Sequence, residues 1–263
     1  MKARSRFATG LAVQADVIGA LLMRELHTRY GRDNIGYLWM ILEPMTLAAA
    51  VASLHAGNKT HFASDIRPVP FAIVGYCLFI IFRQIFNRAE GALEANLPLL
   101  YHRMVTIFDI LFSRALLEGA GILCTLLILL GLAAAMGLGD WPARPLALLG
   151  GVGLMLWFSF AWSMIVCAIT HENRLAARFV HPISYILLPL SGAFYMIEWL
   201  PEPYRTWMSW FPMAQIFELA RHGQFETAEA TYVMPVYIIG WCLVLTYVGL
   251  VAIRILRRHV HLR

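Results

Sequence analysis

The chain has 263 residues, of which 60% are hydrophobic and 14% charged, with a mean hydropathy of +0.65 and a formal net charge of +5. That balance excludes an ordinary soluble domain, and the long charge-free runs between basic flanks mark a polytopic, all-α membrane protein. The alternation over about ten residues that a membrane β-barrel needs does not occur, and the basic surplus follows membrane orientation, so nucleic-acid binding is not expected.

In chain order, the first element is an amphipathic interface helix over 11–32. The apolar stretch after the basic start is broken by Gln14 and Asp16 and offers no small-residue cleavage site, so the segment reads as retained and not as a signal peptide. On a helical wheel Leu11, Ile18, Leu22, Leu26 and Tyr30 share a face, with Gln14, Arg24, Glu25 and Thr28 opposite; Val17 and Leu21 interrupt the polar side. Such a helix suits the plane of the inner membrane surface, with Arg24, Arg29 and Arg32 reaching headgroups or phosphates. Asp33, Asn34 and Gly36 supply a bend into the first span, 36–54, which carries Glu43 followed by Pro44. An intramembrane carboxylate is costly, and Glu43 reads either as functional or as a structural partner of Arg29 or Arg32.

The second span is 68–86. The connection from Asn87 to Gly119 is longer than a tight hairpin needs and reads as a helix, a break at Asn96 to Pro98, and a second helix in which Arg114 and Glu118 pair at i,i+4. A soluble partner could dock there, or it is a solvated connection. Spans over 119–138, 146–169 and 179–197 follow, then an outer segment at 198–228 rich in Trp and Tyr and punctuated by Pro201, Pro203 and Pro212. It reads as short re-entrant helices at the outer interface, where an aromatic belt explains the rings as well as a ligand role does. The sixth span is 233–256. Cys77, Cys124, Cys167 and Cys242 fall within spans without metal or redox spacing and read as small core residues. With six helices, only Lys59, Arg67, Arg144, Arg205 and Arg221 of the 21 basic residues fall on one side. The other side is therefore cytoplasmic and holds both termini.

No GxxxxGK[ST] loop is present, so the chain lacks a phosphate cradle of its own. No HExxH occurs, and the nine histidines are scattered. An intramembrane serine protease of the rhomboid type is disfavoured: "PLSG" has Pro189 where the first glycine belongs, and the last span has no histidine base.

The stretch "RELHTRYGRDNIGYLWMILEP", Arg24 to Pro44, resembles the N-terminal signature of type-2 ABC exporter permeases, especially those of the capsular polysaccharide export family. In that group an RE..TRYG segment leads into LGYLW and a Glu-Pro pair. "ANLPLLYHRMVTIFDILFSRALLE" resembles the inner loop and third-span start, and the final span with its basic tail fits too. Departures are mild: Asn34-Ile35 stands where Leu is usual before Gly36, and His27 where Lys is common.

The resemblance implies a bacterial inner-membrane homodimer of six-helix subunits that binds two copies of a separate cytoplasmic ABC ATPase, where ATP-Mg would reside; no cofactor is expected in this chain. It implies a lipid-linked polysaccharide substrate and periplasmic and outer-membrane export partners. It maps a gate helix to 22–32, ATPase coupling to 96–103 (Asn96, Leu97, Tyr101, His102, Arg103) and an outer gate to 195–211 (Tyr195, Trp199, Tyr204, Trp207, Trp210, Phe211). The substrate-binding set is Arg24, Arg29, Tyr30, Arg32, Tyr37, Trp39 and Glu43, with guanidinium on phosphate and rings on sugar. Rival readings are an O-antigen or other wall-glycan exporter, a small-molecule exporter of the same fold, and a membrane enzyme acting on lipid intermediates.

Overall fold

The computed structural model describes residues 6–30, 36–56, 66–100 and 105–260, and among them there are helices and no strand. In order they are α1 (Arg6–Tyr30), α2 (Gly36–Ala56), α3 (Pro68–Arg88), the one-turn α4 (Leu97–Leu100), α5 (Ile107–Ala135), α6 (Pro145–Glu172), α7 (Arg174–Leu190), the short α8 (Tyr204–Ser209), α9 (Pro212–Gln224) and α10 (Pro235–Val260). Arg32, Tyr101, His102 and Arg103 lie outside the described residues. So does the bend at Asp33 and Asn34; Gly36 opens α2.

Local chemistry sets the boundaries. α3 and α6 start on Pro68 and Pro145, whose fixed φ and missing N–H suit a first helical turn. α5 begins with a capping box: Thr106 Oγ1 accepts from the Asp109 amide, and Asp109 Oδ2 accepts from the Thr106 amide at 3.0 Å. Asn173 separates α6 from α7 and caps the latter, its side chain accepting from the Leu175 amide at 2.9 Å.

α3, α5, α6 and α10 are each long and apolar enough to cross a membrane. The described apolar stretch of α2, Ile41–Val51, is shorter, and α7 has 17 residues. α3 is the central helix, buried along almost its whole length among α2, α5, α6 and α7. An aromatic seam locks it to α6: Phe82 stacks on Phe86 at 5.2 Å and lies 6.2 Å from Phe158, while Phe86 meets Trp162 edge-on at 6.4 Å. Among helices in lipid, such close side-chain packing replaces the hydrophobic driving force.

Three boundaries differ from the sequence expectation. α5 starts at Ile107, well before residue 119, because its capping box and the apolar turns after it continue straight into the span. α1 begins at Arg6. The fifth apolar run does not stay helical to 197: α7 ends at Leu190 after Pro182 and Pro189, and the chain turns at Gly192, whose φ of +88° is a left-handed conformation open to glycine. The outer segment holds the short helices α8 and α9. α9 is buried on nearly every face and packs antiparallel to the first turns of α6, with Gly151 against Ala220 and Gly223 against Leu148. A Cβ at Gly223 would come within 2.2 Å of the Leu148 nitrogen, so only glycine permits that contact.

Candidate functional site

Residues expected to act apart meet at one end of the bundle, where the C-terminus of α3, the N-terminal half of α5 and helix α1 converge. α1 presents Gln14, Ile18, Leu21 and Glu25 toward α5, at spacings of four, three and four residues. Gln14 Nε2 donates to Asp109 Oδ1 at 3.1 Å, tying α1 to the carboxylate that caps α5. Glu25, only 9% exposed, pairs with Arg114 of α5, Oε1 to Nε at 3.1 Å. Arg114 Nη1 also approaches the Arg88 carbonyl at 3.4 Å, and the Arg88 side chain reaches buried Glu118 at 3.1 Å. Four charged side chains from three helices thus form one chain of contacts, in the low-dielectric setting where paired charges hold geometry tightly.

The wheel expectation for α1 holds only in part: Arg24 and Thr28 are exposed and Leu22 and Leu26 half-buried, but Leu11 is exposed, and Gln14 and Glu25 join Ile18 and Leu21 on the side toward α5, which offers Asp109 and Arg114 as partners. Arg114 and Glu118, expected to pair along α5, also reach other helices: Arg114 meets Glu25 on α1, and Glu118 receives Arg88 from α3.

Arg24, assigned from sequence to the substrate set, donates Nη1–H to Asn96 Oδ1 at 2.9 Å. Asn96, assigned to the coupling set, is 2% exposed, and its Nδ2 donates to the Ala92 carbonyl at 2.8 Å. It sits in the 3₁₀ turn Glu94–Asn96 that leads into α4, in the connection between α3 and α5. The two expected sites therefore share a hydrogen bond between charged donor and buried amide, the stronger kind. Leu97 next to it is 37% exposed. Arg29, Tyr30 and Tyr37 lie on α1 and at the start of α2. On α2, Trp39 is 54% exposed and Glu43 is exposed.

The opposite end is fastened differently. Arg221 of α9 is fully buried, with Nη2 donating to the Gly192 and Ala193 carbonyls at 2.7 and 2.8 Å and Nη1 to the Tyr195 carbonyl. Glu218 one turn earlier lies 3.6 Å away and also accepts from the Ile197 amide at 2.9 Å. The guanidinium stacks 4.1 Å from the Phe71 ring of α3. Burial lowers Arg221 to about 10, opposed chiefly by Glu218, so it keeps its charge at neutral pH. Gly75 on α3 completes the fit: a Cβ there would meet the Ala193 carbonyl oxygen at 2.1 Å. This hub was missed from sequence, where Arg221 counted only as an outside charge; the signal was Glu218 and Arg221 at i,i+3 in an otherwise apolar short helix.

Around the hub sit the residues expected as an outer gate. Trp199 stacks on Phe71 at 5.3 Å, the Tyr195 hydroxyl contacts the Met208 sulfur at 3.2 Å, and Phe211 precedes α9 and packs on the core. Tyr204, Trp207 and Trp210 are exposed, with Trp210 edge-on to Tyr237 at 5.8 Å.

Comparison with known proteins follows the same lines. The family model for the ABC-2 type transporter matches residues 16–225, which includes α5 and α6 whole as well as both ends of the bundle. The capsule polysaccharide export inner-membrane protein BexB of Haemophilus influenzae is 35% identical over 251 residues, covering 95% of both chains. The inner-membrane protein CtrC of Neisseria meningitidis, also named for capsule polysaccharide export, is 34% identical over 250 residues, 95% of this chain and 94% of its own. The polysialic acid transport protein KpsM of Escherichia coli is 28% identical over 256 residues, 94% of this chain and 95% of its own. With its apolar helices, its full-length relatives and the family match across both ends of the bundle, the chain belongs to the ABC-2 type transporter family, a transport family and not an enzyme family.

Proposed function

We propose that this chain is the inner-membrane permease subunit of an exporter that moves lipid-linked capsular polysaccharide from cytoplasm to periplasm. It works as a homodimer with two copies of a separate ATPase that holds ATP-Mg, and it hands the polymer to periplasmic and outer-membrane export proteins. α2, α3, α5, α6, α7 and α10 are the six spans, α1 lies at the cytoplasmic interface, and both termini are cytoplasmic. The names of the relatives, matched along their whole length, favour capsule over O-antigen or a small molecule.

The observation that carries the mechanism is the bond from Arg24 to Asn96, supported by the Glu25 to Arg114 pair. The connection between α3 and α5 is the segment an ATPase would push, and α1 is the segment a lipid-linked substrate would pass. Because the two are joined by side chains, displacement of the connection shifts α1 without an intermediate element. Such a shift does work only if substrate or ATP binds the two arrangements with different affinity. Arg29 and Arg32 then receive the phosphate of the lipid linker, Tyr30, Tyr37 and Trp39 offer ring faces to the first sugars, and Glu43 lines the path. Tyr101, His102 and Arg103 extend the coupling segment, while Trp199, Tyr204, Trp207 and Trp210 close the outer end.

Deleting the chain in its host should leave lipid-linked polymer inside the cell and none at the surface, as read by fractionation and glycan blotting. Surface glycan that is unchanged by the deletion would refute the export role. Reversing Arg29 and Arg32 to Glu should abolish export while the ATPase still co-purifies.

A further inference from the structure

α2 carries Pro44 inside its helix, and a proline there lacks the N–H that would bond the carbonyl four residues back and crowds the turn before it. In lipid, carbonyls loosened in this way need donors from the protein itself. Two hydroxyls serve this turn. Thr46, on the same helix, donates Oγ1–H to the Glu43 carbonyl at 2.9 Å, a back-bond that favours bending. Thr125 comes from α5, and its Oγ1 donates to the Ile41 carbonyl at 3.3 Å.

Thr125 is 0% exposed, and the side of α2 toward the bundle is buried at Pro44 and Ala48, one turn apart. The same Oγ1 lies 3.0 Å from the Gly121 carbonyl on its own helix. A hydroxyl has one proton to donate, so Thr125 serves either the α2 carbonyl or the α5 carbonyl, and neither choice leaves a buried donor unpaired. A donor with a single acceptor is different, because parting the helices strands it in a dry interior at the full cost of its desolvation. The two parts of α2 are also held unequally. After Pro44, Met45, Ala48 and Val51 pack on the core, whereas Leu38 and Trp39 before it are exposed.

We infer that Thr125 is the positioning residue of a hinge at Pro44, about which the first turns of α2 move with α1 while the rest of α2 stays on α3 and α5. With the Thr125 proton on Ile41 the lower part of α2 is fastened to α5; with the proton on Gly121 it is released. Because the exchange swaps one carbonyl acceptor for another, a small difference in substrate or ATP affinity is enough to shift the balance. The hinge rests on the export reading above and adds to it the place where the first span yields.

The test uses the full-length chain purified with its ATPase, with hydrogen exchange of α2 and α5 peptides read by mass spectrometry. Thr125→Val, which keeps the shape and drops the hydroxyl, should speed exchange in α2 around Pro44 and leave α5 around residue 125 unchanged. Pro44→Ala, which closes the backbone ladder, should slow it, and the double variant should fall between. Thr125→Ser, which keeps the hydroxyl, should match wild type. A packing role alone would give the opposite pattern, with faster exchange in α5 and Ser worse than Val, since Ser loses the methyl. In cells Thr125→Val should cut surface glycan about tenfold, the effect of losing one buried hydrogen bond, while Thr125→Ser retains most of it. Unchanged exchange around Pro44 in Thr125→Val would overturn the hinge. So would wild-type export by that variant in a host where deleting the chain abolishes export, and the export reading would then stand without it. Exchange does not depend on the cargo, so surface glycan unaffected by the deletion removes the export reading and leaves the exchange result to decide the hinge.

Discussion

Arg221 is the largest fully buried side chain among the described residues, and backbone carbonyls hold it as much as Glu218 does. Replacing it with Met would leave Glu218 buried without its cation and three carbonyls without their donor. Removing one partner of a buried pair costs about 3–5 kcal/mol, so Arg221→Met should lower the melting temperature of the purified protein sharply. The double variant with Glu218→Leu should recover part of the loss; no recovery would mean that the carbonyl contacts, and not the pair, dominate. Arg24 and Asn96 call for a cycle of a different sort, with export as the readout. Each change to Ala should reduce surface glycan by about tenfold, and the double change should do no further harm, because a single charged hydrogen bond is lost in all three. Additive losses would show that Arg24 and Asn96 act separately.

At the level of elements, α1 tests how far a helical wheel can be trusted. Its existence was legible in the sequence, from the apolar spacing and the basic residues at its end. The inward placement of Gln14 and Glu25 was not, because a wheel weighs hydrophobicity alone and cannot see Asp109 and Arg114 waiting on α5. The charge swap Glu25→Arg with Arg114→Glu should therefore export more than either single reversal, each of which buries two like charges side by side. Equal defects in all three variants would show that the pair does not hold α1 in place. α7 was legible only in part. Its apolar run continues to 197, yet the helix stops at Leu190, since Pro189 and the left-handed Gly192 turn the chain where periodicity gives no warning. Short helices were expected in the outer segment, but the burial of α9 was hidden, because Gln215, Glu218, Arg221 and Gln224 read as a polar face until their buried partners are seen. The capping box at Thr106 was written in "TIFD", and it explains why α5 begins so far ahead of its apolar stretch.

On the scale of the whole molecule, composition and basic-residue asymmetry were enough for an all-helical membrane protein, and the family motif pointed to its substrate class. What neither could convey is that the two ends of the bundle are fastened by different means. The Arg24–Arg114 end is held by side-chain contacts between α1, α3 and α5. The Arg221 end is held by backbone gripped around one guanidinium and by glycine contacts too close for any other residue. Hydrogen exchange should accordingly be faster in α1, which is exposed along much of its length, than in α9, which is buried on nearly every face. Mechanically, the bundle is a set of levers with the pivot at the Arg221 end. A helix of about 20 residues is 30 Å long, so a tilt of only about 5° there becomes roughly 3 Å at the far tip. A stroke of that size is enough to exchange one side-chain partner for another, while the pivot itself need not loosen at all.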